Sequence, residues 1–395
     1  MKAFQIDKGI EEKKNKWLSE TTDLKSDKDE YMGCSGCHEN EKRCGMLLTK
    51  KCQLKCVYCY EKNKSKESMS FQTAKEILDK ELEDESIDKI HIDLFGGEPF
   101  MAFDVMKEIV EYLKSKRKRE LFYITTITNG VAIHGDIQKW LLENKDVIEC
   151  PLSLDGTREM QERNRPGSFD RIDLDFFTNM LPGTRAKMTI SPNTLSDLAE
   201  GTIFLHERKF SPQNWLAYGV EWQDDCEEIL CKELEKLIQF YLDNPEIQES
   251  LLLKLPYKDI CVRFRSCDAG KSMAMYDING KKWPCHMFLP MALGEKKAKQ
   301  GESLKIFKDK RNGEYCDTEC SNCPIRRSCV VCHGINYNLF GTINGRDTRI
   351  CMLTKLIYRA KAFLAAKKWA LGLYNDLSIV DERALLKAIS LCMEL

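Results

Sequence analysis

Nineteen cysteines in 395 residues, most of them gathered into two runs, constrain this sequence more than any other feature. The first run is Cys34, Cys37, Cys44, Cys52, Cys56 and Cys59. The second is Cys261, Cys267, Cys285, Cys316, Cys320, Cys323, Cys329, Cys332 and Cys351. Cysteine makes up roughly 5% of the chain, below the ~8–10% of a small disulfide scaffold. The N-terminal MKAFQIDKGIEEKKNKW has no apolar stretch of signal-peptide length, so a cytoplasmic location with reduced thiols is expected. Clustered reduced thiols read as metal ligands rather than disulfides.

The rest of the composition is ordinary. Apolar residues at 43% and charged residues at 31% exclude a wholly disordered or collagen-like chain. No run of eighteen apolar residues predicts a membrane span. A formal charge of −1 gives no nucleic-acid footprint, and the basic run Lys114, Lys116, Arg117, Lys118, Arg119 reads as a solvated helix end. Candidate strands are 46–49, 90–95, 123–128, 147–154, 186–191 and 215–222, with amphipathic stretches such as 73–84 and 103–114 between them. Repeated strand–helix units argue for a parallel sheet covered by helices. Six units suit a partial (β/α)6 barrel of the α/β class, whose ligands sit at the C-terminal strand ends. The expected division is an N-terminal arm (1–43), the α/β core (44–225), a helical bridge (226–260), a metal-stapled domain (261–355) and C-terminal helices (356–395). The metal-stapled assignment follows from the returning cysteines and the Gly and Pro breaks among them.

Cys52-Gln53-Leu54-Lys55-Cys56-Val57-Tyr58-Cys59 follows the first strand. Three cysteines in a CxxxCxxC loop can converge on one side of a cluster. A 4Fe–4S cube usually takes four thiolates, so three leave one iron open to a substrate or cofactor. The spacing alone equally allows a zinc site completed elsewhere, or buried thiols. Further motifs then close successive strands: Gly96-Gly97-Glu98-Pro99 the second, Thr128-Asn129-Gly130 the third, Ser153-Leu154-Asp155-Gly156 the fourth, with Arg165 nine residues on. In these motifs and their order, over about residues 44–225, the chain resembles the radical S-adenosylmethionine (SAM) superfamily. The resemblance implies a cluster on Cys52, Cys56 and Cys59. It implies SAM contacts from Gly96, Gly97, Glu98 and Pro99, whose glycine backbone can approach the methionine amino group, and from Asn129. Ser153 and Asp155 resemble the ribose contacts, Tyr58 the aromatic neighbour of adenine, and Ser191 a further contact at the fifth strand end. Arg165 matches the arginine expected on the methionine carboxylate. The family often reads HDxxR here; this chain has Gln161 and Glu162 before Arg163, Asn164 and Arg165, which leaves Arg163 as the alternative.

The second run resembles the seven-cysteine pattern of the SPASM domain, an extension of peptide-modifying radical SAM enzymes. Cys267 and Cys285 flank Gly280, and Cys320-x2-Cys323-x5-Cys329-x2-Cys332 and Cys351 follow, with Cys261 as an eighth thiolate. The pattern usually has three residues between its fifth and sixth cysteines, and here there are two, which makes His333 an alternative to Cys332. The family's interleaved pairing implies two auxiliary 4Fe–4S clusters: Cys261, Cys267, Cys285 and Cys332 on one, Cys320, Cys323, Cys329 and Cys351 on the other. With the SAM-binding cluster that makes three. A pair of zinc ribbons is the alternative. Cys34, Cys37, His38 and Cys44 could form an extra metal site, a substrate-facing loop or plain reduced thiols, and a reading without metal is favoured. Cys226 and Cys231 are spaced awkwardly for a chelate, Cys150 and Cys392 read as core, and Cys316 is a spare ligand.

The resemblance implies a radical SAM/SPASM maturase that forms a 5′-deoxyadenosyl radical. It would install a thioether or carbon–carbon cross-link in a ribosomally made precursor peptide. Its expected electron donor is of the flavodoxin or ferredoxin type. Leader recognition would use the core, the arm or a separate leader-binding protein; neither nucleic acid nor membrane is an expected partner. One alternative is a sulfatase-maturating oxidase forming formylglycine. Those relatives carry an aspartate base after the cysteine matching Cys285, where this chain has His286, so His286 is the one candidate catalytic side chain. A non-catalytic iron–sulfur carrier or sensor is the alternative of another class, and an intact SAM pocket would speak against it.

Overall fold

The computed structural model describes residues 4–21, 41–84, 86–116, 122–262, 269–302, 304, 318–326, 328–329, 332–374 and 376–395. Cys34, Cys37, His38, Cys267, Cys316 and positions 117–119 of the basic run lie outside them, and of Cys261 only its place in a helix is described. Along the chain come α1 (Lys8–Glu20), β1 (Glu41–Thr49), α2 (Phe71–Leu82), β2 (Lys89–Gly96), α3 (Phe103–Lys114), β3 (Phe122–Thr125), α4 (Asp136–Glu143), β4 (Ile148–Glu149) and α5 (Arg158–Asn164). Then follow β5 (Arg185–Ile190), α6 (Leu198–Glu207), β6 (Ser211–Leu216), α7 (Cys226–Asp243), α8 (Tyr257–Val262), β7 (Met273–Tyr276) and β8 (Lys282–Trp283). The last helices are α9 (Pro290–Leu293), α10 (Glu295–Glu302), α11 (His333–Phe340), α12 (Thr348–Ala370) and α13 (Ile379–Met393).

β1 to β4 pair in parallel and in sequence order, and β5 pairs in parallel with β6. Leu152 joins the two sheets, bridging Thr128 on one side and Ala186 on the other. The result is a curved wall of six parallel strands, the expected partial barrel. On the far side of β1 the wall continues through β7, parallel to it, and β8, antiparallel to β7. Strand periodicity separates two faces. On β2, Ile90, Ile92 and Leu94 are buried, while His91, Asp93 and Phe95 alternate with them on the other face. Met106, Ile109, Val110 and Leu113 form the fully buried stripe of α3, each worth about 1.5–3 kcal/mol of apolar burial. Ser70 caps α2 by accepting from the Thr73 amide at 3.1 Å.

Two strand expectations shift. The fourth, read as 147–154, is regular only over Ile148–Glu149, because Pro151 interrupts the ladder before the Leu152 bridges. The sixth, read as 215–222, runs instead over Ser211–Leu216. Two residues disguised it: Pro212, tolerated on an edge strand, and a buried Asn214 whose amide donates to Thr202 Oγ1 at 3.0 Å. A second, smaller core joins α1, α8, α12 and α13 around Ile260, Leu386 and Ile389. The N-terminal segment docks there: Asp7 pairs with Lys367 at 2.8 Å, Lys14 donates to Ser390 Oγ at 2.8 Å, and Lys13 lies 4.9 Å over the Trp369 ring. No helix among the described residues is long and apolar enough to cross a membrane.

Candidate functional site

The cysteine loop leaves the C-terminal end of β1 and lies against the end of β2. The Gly97 and Glu98 amides donate to the carbonyls of Thr49 (3.0 Å) and Lys51 (2.8 Å). A Cβ on Gly97 would stand 2.4 Å from the Lys51 oxygen. The glycine pair is therefore required by the loop's own backbone, a closer constraint than the ligand approach expected from the motif. Glu98 is 1% exposed. Its carboxylate accepts from Thr128 Oγ1 (2.8 Å) and the Asn129 amide (2.8 Å), which ties the end of β2 to the end of β3. Burial pushes its pKa up to about 7, against those hydrogen bonds. Asn129 reaches back, with its amide nitrogen 3.9 Å from Cys52 Sγ, and its side-chain oxygen accepts from Gln53 Nε2 at 3.2 Å.

A second knot gathers Tyr58, Asp155 and Arg165. Asp155 is fully buried. Its Oδ2 accepts from the Tyr58 hydroxyl (2.6 Å), Arg165 Nε (2.9 Å) and Asn164 Nδ2 (3.2 Å), and its Oδ1 from the Thr189 amide (2.8 Å). The Arg165 guanidinium lies 5.3 Å over the Tyr58 ring, with Nη1 3.9 Å from Cys56 Sγ. Although burial opposes its charge, the Asp155 carboxylate holds the Arg165 pKa above its usual value. Burial raises the Tyr58 hydroxyl well above its own. Arg163 points elsewhere, pairing with Asp197 and donating to the Asn193 carbonyl at 2.9 Å. Of the two alternatives, only Arg165 stands beside the cysteine loop. Ser191 is buried and donates to Asn164 Oδ1 at 2.5 Å; the Ser153 amide donates to the Thr128 carbonyl at 2.8 Å. Gln161, which accepts from the Asp155 amide at 2.8 Å, and Asn164 were missed by sequence reasoning.

His286 reaches this end of the barrel from beyond β8. Its ring lies 5.7 Å from Tyr60 and 5.6 Å from Phe95. Burial, helped by Arg43 and opposed by Asp93, brings its pKa down to about 4, so the imidazole is neutral near pH 7. Cys285 is buried beside it. Burial first, then the charges of Glu61, Cys59, Cys285 and Cys332, push the Tyr60 hydroxyl well above its usual pKa. Cys332 packs on the main core, whereas Cys323 and Cys329 pack on the second core with α8, α12 and α13. Arg346 Nη1 lies 3.6 Å from Cys351 Sγ. Cys44, by contrast, is fully buried in β1, and Cys150 and Cys392 are core residues.

The donor set fits an iron–sulfur cluster. Cys52, Cys56 and Cys59 are partly buried at one loop, with two cations turned to them. One is Arg165. The other is Lys64, where burial opposes the charge but Cys59, Cys52 and Cys56 more than offset it and raise its pKa. Two buried acceptors of this loop, Gln53 Oε1 and Glu61 Oε1, have no hydrogen-bond donor among the described residues, so the pocket has polar capacity to spare. Among the described residues no three His, Cys, Asp or Glu side chains converge tightly enough for one metal ion. A 4Fe–4S cube makes no such demand, since each thiolate takes its own iron.

Residues 46–173 match the model of the Radical SAM superfamily, and the parallel strands with the cysteine loop at their C-terminal ends agree with the core of that class. It is 32% identical over 121 residues to an uncharacterized protein of Methanocaldococcus jannaschii, covering 31% of this chain and 41% of that one. It is 35% identical over 130 residues to the GTP 3′,8-cyclase of Clostridium perfringens, covering 32% of this chain and 38% of the relative. The chain thus spans about two fifths of these curated relatives. Among solved structures, anSMEcpe with bound AdoMet superposes with a TM-score of 0.66 over 87% of this chain and 97% of that one, at 18% identity. SuiB of Streptococcus suis bound to precursor peptide SuiA gives 0.54 over 78% and 75%, at 16% identity. Those likenesses extend the shared fold well past the radical SAM core.

Proposed function

We propose that this chain is a radical SAM peptide maturase that cross-links side chains of a ribosomally made precursor. The observation that carries the reading is the Tyr58–Asp155–Arg165 knot buried against the Cys52, Cys56 and Cys59 loop, at the C-terminal ends of parallel strands. With a 4Fe–4S cluster and SAM bound there, the chemistry supplied is one-electron cleavage of SAM to a 5′-deoxyadenosyl radical, which takes a hydrogen from the substrate. The protein's residues bind, orient and exclude water. Cys52, Cys56 and Cys59 would hold the cluster. Gly96, Gly97 and Pro99 form the strand end that would hold the methionine part, braced by Glu98 and Asn129. Arg165 presents a preset cation to the methionine carboxylate, while Asp155 fixes the Arg165 and Tyr58 side chains so that Tyr58 can flank adenine. Ser153 and Ser191 line the same strand ends. His286, neutral and packed between Tyr60 and Phe95, is better placed as a wall of the site than as a strong base.

The remaining cysteines support two auxiliary clusters of a SPASM-type domain. Cys285 and Cys332 belong to the main core, whereas Cys323 and Cys329 pack against the second. That parting agrees with the interleaved pairing for the described thiols. A peptide substrate is supported by the likeness to SuiB bound to its precursor peptide and to anSMEcpe, which is also known with the Cp18Cys peptide. The expected partners are a precursor peptide and a flavodoxin or ferredoxin type donor.

The test is anaerobic turnover with chemical reductant, SAM and a candidate precursor peptide. 5′-Deoxyadenosine should form, and the peptide should lose about two daltons per event, because two hydrogens leave as one bond forms. An aldehyde that a hydrazide probe labels, with no cross-link, would favour formylglycine formation. Absence of 5′-deoxyadenosine from iron-replete, reduced protein would sink the enzymatic reading.

A further inference from the structure

The inner wall of the barrel carries charges that the SAM site does not use. On β5, Ala186, Met188 and Ile190 are fully buried on the helix side, with Met188 touching Thr202 of α6, so Arg185 and Lys187 lie on the lumen face. The anions that share this space are already matched. Asp93 of β2 pairs with Arg43, lies 3.2 Å from His91, and accepts from Thr125 Oγ1 at 2.6 Å. Glu149 pairs with Arg185. Lys187 has no ion pair or hydrogen bond from its side chain among the described residues. Three fixed cations therefore face two carboxylates. His91 adds no charge near neutral pH, since burial lowers its pKa. Burial first, then Arg185 and Arg43, bring the Lys187 pKa down to about 8, with Glu149 and Asp93 opposing. A half-buried ammonium without a protein partner keeps part of its hydration and is free to take a visiting anion.

Its position gives that anion a meaning. Lys187 lies two residues before Thr189, whose amide holds Asp155, so it sits ~6.6 Å along the strand below the Tyr58–Asp155–Arg165 knot. Lys187 is itself only partly buried, so solvent and small anions reach it. We propose that Lys187 seats a carboxylate of the substrate, an acidic side chain of the peptide, two residues along β5 below the Tyr58–Asp155–Arg165 knot. The inference rests on the maturase reading for its substrate, and it makes that substrate a peptide with Asp or Glu close to the modified residue. The seat works by a charge-assisted hydrogen bond that also neutralises the surplus cation.

The experiment is trace acetylation of the reconstituted full chain, read per lysine by peptide mass mapping. N-acetylglutamate amide, N-acetylglutamine amide and inorganic phosphate serve as probes. At ten times its Kd, the glutamate derivative should slow modification of Lys187 about tenfold, the ratio set by mass action, and leave Lys8 unaffected. The glutamine derivative should do nothing. Saturation-transfer NMR of the glutamate derivative should lose its signal in K187M and keep it in K187R, which separates loss of the cation from loss of the fold. Equal protection by both amides, protection by phosphate alone, or no protection overturns the proposal. SAM cleavage is measured on the same preparation. Cleavage without carboxylate protection rejects the seat and leaves the maturase reading standing, and protection without cleavage does the reverse.

Discussion

Arg163 and Arg165 are two residues apart and do opposite work. Arg165 is 8% exposed and its charge is matched by a carboxylate that is itself fully buried. Removing it leaves Asp155 as an uncompensated charge in the core. Arg165→Ala should therefore cost about 3–5 kcal/mol in a denaturant titration. It should also weaken SAM binding at least tenfold by equilibrium dialysis. Arg163 bonds Asp197 at the surface, with 42% of its side chain exposed, and Arg163→Ala should cost no more than about 1 kcal/mol and bind SAM normally. A normal Arg165→Ala together with a defective Arg163→Ala would mean that the assigned register after Asp155 is off by two residues. The sequence showed that an arginine belongs in this segment. Which one turns inward was settled by the C-terminal end of α5, where the chain leaves the helix with Arg165 at φ −134° and ψ 68°.

At the scale of elements, the strand ends are the machinery. Three successive loops are laced together by Thr49, Lys51, Glu98, Thr128 and Asn129, and Gly97 is where the lacing is tightest. Gly97→Ala should push the end of β2 off the cysteine loop. The expected result is about 1–3 kcal/mol of lost stability, as for other overpacked sites, with poor iron retention on the loop. Gly9→Ala is the control: it lies within α1, its Cβ would meet only Asp7 at 3.6 Å, and it should be neutral or stabilising by thermal melt. Retained stability and iron in Gly97→Ala would show that the loop adjusts freely. Motif order along the chain made the strand ends legible. The sixth strand was displaced in the reading because its buried positions include Pro212 and Asn214, which no hydrophobic pattern marks.

For the whole molecule the test is stoichiometry. The anaerobically reconstituted chain should carry about twelve irons, from three cubes of four. Replacing Cys52, Cys56 and Cys59 together by Ala should remove about four and leave the rest. A preparation with zinc and only about four irons would reject two auxiliary clusters. The N-terminal segment belongs to the same unit. Phe4 packs 6.0 Å from Phe363, and α1 closes over α12 and α13, so the two ends of the chain share one core.

The sequence by itself determined what depends on local order: clustered thiols, alternating strands and helices, and the motifs that end successive strands. These are written in spacing, and spacing survives without three-dimensional knowledge. Only the tertiary structure decided what depends on curvature and long-range pairing. Asp155 meets Tyr58 across 97 positions because parallel strands bring their ends to one rim. Arg43, Asp93, Glu149 and Lys187 share a lumen because the sheet bends and its inner faces converge. No local pattern records that convergence, since each of these residues taken alone reads as an ordinary solvated charge on a strand.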